Sequence, residues 1–167
     1  MTVESKTGYK RLKPKKTLGE ILDVAIEFEQ TARDFYAALV PKVSKQLRYL
    51  VEELAEEEQR HFDLFSEVRA RPDLESRIGE MVETPASDAR FTDCVHLPEL
   101  GDEPDDQAVL QYALGREQAA IEQYSALAKT TPAGPIRDLF IFLADEETQH
   151  KNELEKIYYE VVHSGGV

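Results

Sequence analysis

The sequence predicts an all-α fold, a four-helix bundle made of two helical hairpins joined by a long crossover that contains a short helix. Three observations carry that reading. Four long segments repeat apolar residues at steps of three and four, the spacing that lines one face of a helix. Short breaks separate the first segment from the second and the third from the fourth, as in antiparallel helical hairpins. Between the pairs lies a stretch with Pro85, Pro98, Gly101 and Pro104 and no sustained period, and nothing in the chain reads as a strand pair.

The first helix starts at a capping box, Thr17 with Glu20. Leu18, Ile21, Ala25, Phe28, Ala32, Phe35 and Leu39 form its stripe, and Pro41 marks its end. The second runs from about Ser44 to about Arg71, before Pro72, with the face Leu47, Val51, Leu54, Glu58, His61, Phe65 and Val68. A short helix is expected within Asp73 to Glu83, with Leu74, Ile78, Met81 and Val82 as its apolar side. Asp105 or Asp106 caps the third helix, which lasts to about Lys129 with the inner face Leu110, Leu114, Glu117, Ile121, Tyr124 and Ala128. Pro135 suits the first position of the fourth, which lasts to about Val162. Its stripe is Ile136, Phe140, Leu143, Glu147, His150, Leu154, Ile157 and Val161.

At 167 residues the chain is the size of one domain. The expected organisation is a basic arm over residues 1–16, the bundle over 17–163 with its long connection at about 72–105, and a tail over 164–167. A net charge of -13 argues against nucleic acid as the partner. No apolar run is long enough for a membrane span, and no apolar stretch follows the basic N-terminus as in a secretory signal, so a cytoplasmic protein is expected. The single cysteine, Cys94, excludes a disulfide within the chain and a metal site of several thiolates.

The two halves repeat each other. Glu29, Ala32 and Tyr36 on the first helix recur as Glu117, Ala120 and Tyr124 on the third, and Glu58-x-x-His61 recurs as Glu147-x-x-His150. Four carboxylates and two imidazoles therefore interrupt apolar stripes, and no Lys or Arg is expected on those faces to balance them. Isolated ionised carboxylates in a low-dielectric interior are untenable. Two divalent cations would neutralise the four, and oxygen-rich ligation with one imidazole per metal favours iron or manganese. A single Glu-x-x-His on an acidic helix is ordinarily solvated charge, as Glu52, Glu53, Glu56, Glu57, Asp145 and Glu146 are read here. Six residues of the right kinds in matching order across two half-repeats are a stronger signal. Tyr36 and Tyr124 are either packing groups or hydrogen-bond donors to ligand carboxylates. His96 and His163 read as solvent-exposed.

Over roughly residues 18 to 162 this pattern resembles the rubrerythrin-type branch of the ferritin-like superfamily. The resemblance implies a ferritin-like four-helix bundle with Glu29, Glu58, His61, Glu117, Glu147 and His150 as ligands of two iron ions per chain, with manganese or zinc as substitutes in purified protein. It implies a diiron oxidoreductase of the peroxidase or ferroxidase type that reacts with hydrogen peroxide or dioxygen. A non-enzymatic iron-binding or iron-buffering protein is the alternative. Ala120 stands where rubrerythrins carry a further Glu, and the chain lacks a four-cysteine rubredoxin domain, so turnover would draw on a separate electron donor. Gln59 stands where bacterioferritins place their haem-binding Met, and only 17 residues follow His150, so neither haem nor a fifth cage helix is expected. The outward apolar residues Phe62, Ile141 and Phe142 suggest a homodimer.

Overall fold

The computed structural model describes residues 15–84 and 99–165; Cys94 and His96 lie outside the described residues. A strand β1 (Lys15–Thr17) leads into α1 (Leu18–Leu39), which is followed by α2 (Lys45–Ala70). The crossover holds a 3-10 turn (Pro72–Leu74), a short helix α3 (Glu75–Ile78) and a strand β2 (Met81–Glu83). The second hairpin is α4 (Asp106–Thr130) with α5 (Pro135–Gly165). α1 packs along α2, and α4 along α5.

Local chemistry sets the helix ends. The Glu20 amide donates to Thr17 Oγ1 at 3.0 Å, and the Thr17 amide donates back to Glu20 Oε1 at 3.1 Å, closing the capping box. Ser44 occupies the N-cap position of α2. Asp105 caps α4 by accepting from the Gln107 amide at 3.1 Å. α5 runs past the expected end near Val162, as far as Gly165.

Two expectations fail in the crossover. β1 and β2 pair antiparallel, with Lys16 opposite Val82, although no strand pair was expected. With only three residues each, the strands are too short for alternation to reveal them. Met81 consequently faces outward at 58% exposed, while Val82 is buried at 5%. The ribbon ties the crossover to the bundle, because the Leu18 amide donates to Glu80 O at 2.9 Å and Thr130 Oγ1 to Glu83 O at 2.9 Å.

The core comes in two parts. One gathers Leu18, Leu22, Phe28, Phe65, Tyr124, Ile136 and Phe140; the other gathers Tyr36, Leu47, Val51, Leu54, Leu110, Ala113 and Leu154. Each fully buried large apolar side chain contributes about 1.5–3 kcal/mol, so these two layers stabilise the bundle. Glu29, Glu58, Glu117 and Glu147 each fall in sequence between a residue of one part and a residue of the other, which puts a charged layer at mid-bundle.

Candidate metal centre

All four carboxylates are wholly buried, His61 is 1% exposed, and the His150 side chain is 17% exposed. α1 supplies Glu29, α2 Glu58 and His61, α4 Glu117, and α5 Glu147 and His150. Ligand atoms of Glu29, His61 and Glu147 lie within 4.8 Å of one another, and so do those of Glu117, Glu147 and His150. Glu147 belongs to both groups. His61 Nδ1 stands 3.1 Å from Glu147 Oε1, 3.5 Å from Glu29 Oε2 and 3.9 Å from Glu58 Oε2. The imidazoles of His61 and His150 are stacked, with centroids 6.3 Å apart.

The expectation that no Lys or Arg enters this layer is wrong. Arg116 is fully buried among the carboxylates. Its Nη2 donates to Glu29 Oε2 at 2.8 Å and to Glu58 Oε2 in a very short contact, and its Nη1 donates to Glu147 Oε2 at 3.1 Å and Glu117 Oε1 at 3.4 Å. Of the six residues expected on the inner face of α4, Leu110, Glu117, Tyr124 and Ala128 are buried. Leu114 and Ile121 are half-buried, while Val109, Ala113, Arg116, Ala120 and Leu127 are buried. That face is built largely of alanine, so its apolar signal is weak and the larger Leu and Ile side chains misplace it.

Tyr124 OH donates to Glu29 Oε1 at 2.6 Å. Tyr36, its counterpart in the other half, is equally buried, but its hydroxyl makes no hydrogen bond. Glu57 and Glu146 are not simply solvated. Their side chains are 12% and 24% exposed, and Glu57 Oε2 lies 3.2 Å from His150 Nε2. Their signal was position, each being the residue directly before a predicted ligand Glu.

The electrostatics divide each hairpin in the same way. Burial alone would raise the Glu29 carboxyl, but Arg116, a hydrogen bond with Glu58 and the nearby His61 outweigh it and hold Glu29 at about 2. Glu147 is likewise lowered against the effect of burial, by hydrogen bonding with Glu117 and by Arg116 and His61. Burial pushes Glu58 up, and the charges of Glu29 and Glu147 add to it against Arg116. Glu117 is pushed up by burial and by Glu147. Burial opposes a charge on His61, but the carboxylates of Glu29, Glu146 and Glu147 close beside it raise its pKa. Each hairpin thus pairs a carboxyl held low with one pushed up.

The residues nevertheless fit a pair of divalent cations. Glu58 Oε1, Glu117 Oε2, Glu147 Oε1, His61 Nδ1 and His150 Nδ1 are buried and make no hydrogen bond. Buried polar atoms are rarely left this way, and carboxylate oxygens with imidazole nitrogens are the donors that iron and manganese take.

Residues 20–93 match the rubrerythrin family model. Over that stretch the chain is similar to rubrerythrins. The match spans most of α1, all of α2 and the first part of the crossover, less than half of the chain, and so includes one of its two Glu-x-x-His motifs. A similar solved structure is a dodecameric thioferritin, the bacterioferritin-related protein from Bacteroides fragilis. It is 22% identical, with a TM-score of 0.67 over 89% of this chain and 88% of that one. That likeness establishes the ferritin-like fold. Among curated protein sequences nothing matches the chain. No helix among the described residues is long and apolar enough to cross a membrane.

Proposed function

We propose that the rubrerythrin-like chain is a non-haem diiron oxidoreductase that holds two iron ions with Glu29, Glu58, His61, Glu117, Glu147 and His150 and reacts with hydrogen peroxide or dioxygen. The observation that carries this reading is the pair of buried ligand groups sharing Glu147. When bound, the iron pair supplies electrons and Lewis acidity. The protein's residues do the rest. Tyr124 fixes Glu29 through its hydroxyl, leaving Oε2 turned toward Arg116 and His61. Burial pushes the carboxyls of Glu58 and Glu117 up, so any proton they carry would leave as cations bind. The apolar layers on either side exclude bulk water from the carboxylates.

Anaerobic titration of metal-free protein with Fe(II), followed by separate mixing with hydrogen peroxide and dioxygen, tests this. Two irons per chain and a rise of ferric absorption with either oxidant are expected. Absence of tight binding, or bound iron inert to both oxidants, would defeat the proposal. Glu58→Ala and His150→Ala should each lose at least one metal per chain by elemental analysis.

Ala120 favours a second reading. It is buried in the layer's immediate neighbourhood and offers no ligand atom. An iron-buffering protein would bind and release Fe(II) reversibly with no repeated oxidation. A separate electron donor and a homodimer, the latter built on exposed Ile141 and Phe142, complete the proposal. Light scattering of the purified chain decides the assembly.

A further inference from the structure

Arg116 engages the two ligand groups unequally. Glu29 has no oxygen to spare: Tyr124 OH donates to its Oε1 at 2.6 Å, and Arg116 Nη2 donates to its Oε2 at 2.8 Å. The oxygen that Arg116 takes is the one that faces His61 Nδ1, 3.5 Å away, and so the one through which Glu29 would share a cation with that imidazole. The other group is open. Glu117 Oε2, Glu147 Oε1 and His150 Nδ1 are buried and make no hydrogen bond, while Arg116 Nη1 reaches only the opposite oxygens, Glu147 Oε2 at 3.1 Å and Glu117 Oε1 at 3.4 Å. Charge points the same way. Two divalent cations would cancel four carboxylates by themselves, which leaves the guanidinium as a surplus positive charge in a layer wholly shielded from water. An uncompensated buried charge is strongly unfavourable. With one cation bound Arg116 still has carboxylates to face; with two, its charge is in excess.

We propose that Arg116 is a built-in competitor of the second metal ion: the first divalent cation enters beside Glu117 and Glu147 with the guanidinium in place, and the second enters at Glu29 only by displacing it. The inference rests on the dinuclear reading of these ligands. The hold of Arg116 is incomplete, because its Nε is buried without a hydrogen bond and its two other nitrogens are divided among four carboxylates. A planar fork suits this role, since it presents separate nitrogens to the two carboxylate pairs at once. The consequence is a threshold. Reduction of hydrogen peroxide to two waters takes two electrons and two protons, and a single Fe(II) oxidised to Fe(III) supplies only one of the electrons. Arg116 thereby sets the Fe(II) concentration above which the complete pair forms and the reaction can begin.

Calorimetric titration of the full-length metal-free chain with Co(II), which resists oxidation, tests this. Wild type should take one Co(II) per chain tightly and a second far more weakly. In Arg116→Met the second ion should bind at least about tenfold more tightly than in wild type, the gain when a charge-assisted hydrogen bond no longer has to be broken, while the first changes less. Glu29→Gln should lose only the weak step, and Glu117→Gln the tight one. Two equal steps in wild type, or a second step no tighter in Arg116→Met, overturn the proposal. One ion in wild type and two in Arg116→Met is the expected result in stronger form. If Arg116→Met does not fold, Arg116→Lys, which keeps the charge but not the fork, takes its place: its second step should also be tighter than that of wild type, and an unchanged one overturns the proposal. Failure of the dinuclear reading looks different, since it gives one Co(II) or none in wild type and in the Arg116 variant alike.

Discussion

The guanidinium of Arg116 lies over the ring of Phe28, with Cζ 4.3 Å from its centroid. The two residues occupy the same place in the two half-repeats, Phe28 directly before Glu29 and Arg116 directly before Glu117. One half thus supplies a cation where the other supplies the aromatic face on which it rests. The repeat is broken at this point, and the break introduces the positive charge that the four carboxylates otherwise lack.

Replacing that charge should matter most when no metal is present. Arg116→Met leaves buried carboxylates without a partner, a change that typically destabilises by about 3–5 kcal/mol. Bound divalent ions would take over part of that role. Melting of the variant with and without Fe(II) or Co(II) should show a large drop for the metal-free protein and a smaller one for the loaded protein. Equal drops would mean that Arg116 acts through packing alone.

The two tyrosines should behave differently. Tyr124→Phe removes the donor to Glu29 Oε1 and is expected to destabilise by about 1–3 kcal/mol. Tyr36→Phe removes a buried hydroxyl that makes no hydrogen bond, and should be neutral or mildly stabilising. Denaturant melts of both variants decide this, and an equal loss would contradict the asymmetry.

The pH dependence of the metal-free protein follows from the same layer. Glu29 and Glu147 are lowered, so their contribution is present above the ordinary value of 4.5 and is lost as pH falls below it. Glu58 and Glu117 are raised, so the unfolded chain gives up protons above 4.5 that the folded chain keeps, and stability declines as pH climbs. His61 is raised from 6.5, and its contribution, full below that value, is lost above it. Calorimetry should therefore show the metal-free melting temperature falling between about pH 5 and about pH 8. Metal binding favours the deprotonated ligands, so the gap between loaded and metal-free protein should widen over the same range.

A last prediction concerns the turn of the second hairpin. Gly134 has φ 150°, and a Cβ there would fall 1.7 Å from Arg77 Nη1. Arg77 comes from α3 and donates to Ala133 O and Pro132 O, each at 2.9 Å. Gly134→Ala should destabilise by about 1–3 kcal/mol through backbone strain, and displace Arg77 as well. Arg77→Ala combined with Gly134→Ala should lose less than the two single changes added together, because both disturb one contact.

Much of this architecture was legible because α1, α2 and α5 bury Leu, Ile, Val and Phe at regular steps, which leaves Glu58, His61 and Glu147 conspicuous where the stripe should continue. α4 was harder to read, since Ala113, Ala119, Ala120 and Ala128 mark a buried face only faintly. Arg116 was hidden for a further reason: an isolated arginine in a helix normally reaches solvent, and only the carboxylates of three other helices explain why this one does not. Glu57 and Glu146 resembled their solvated neighbours in sequence, and their link through His150 and His61 arises from the packing of α2 against α5. Strand β2 escaped notice because its partner lies more than 60 residues earlier in the chain.

The ribbon and the Arg77 contacts also define a seam between the two halves. Every element from β1 to β2 finds partners within residues 15–83. The second hairpin meets that unit at one end through its turn, where Pro132 O and Ala133 O accept from Arg77, and through Thr130 Oγ1, which donates to Glu83 O. The carboxylate layer is shared across the same seam, so a change that loosens these end contacts acts on the site without touching any of its ligands.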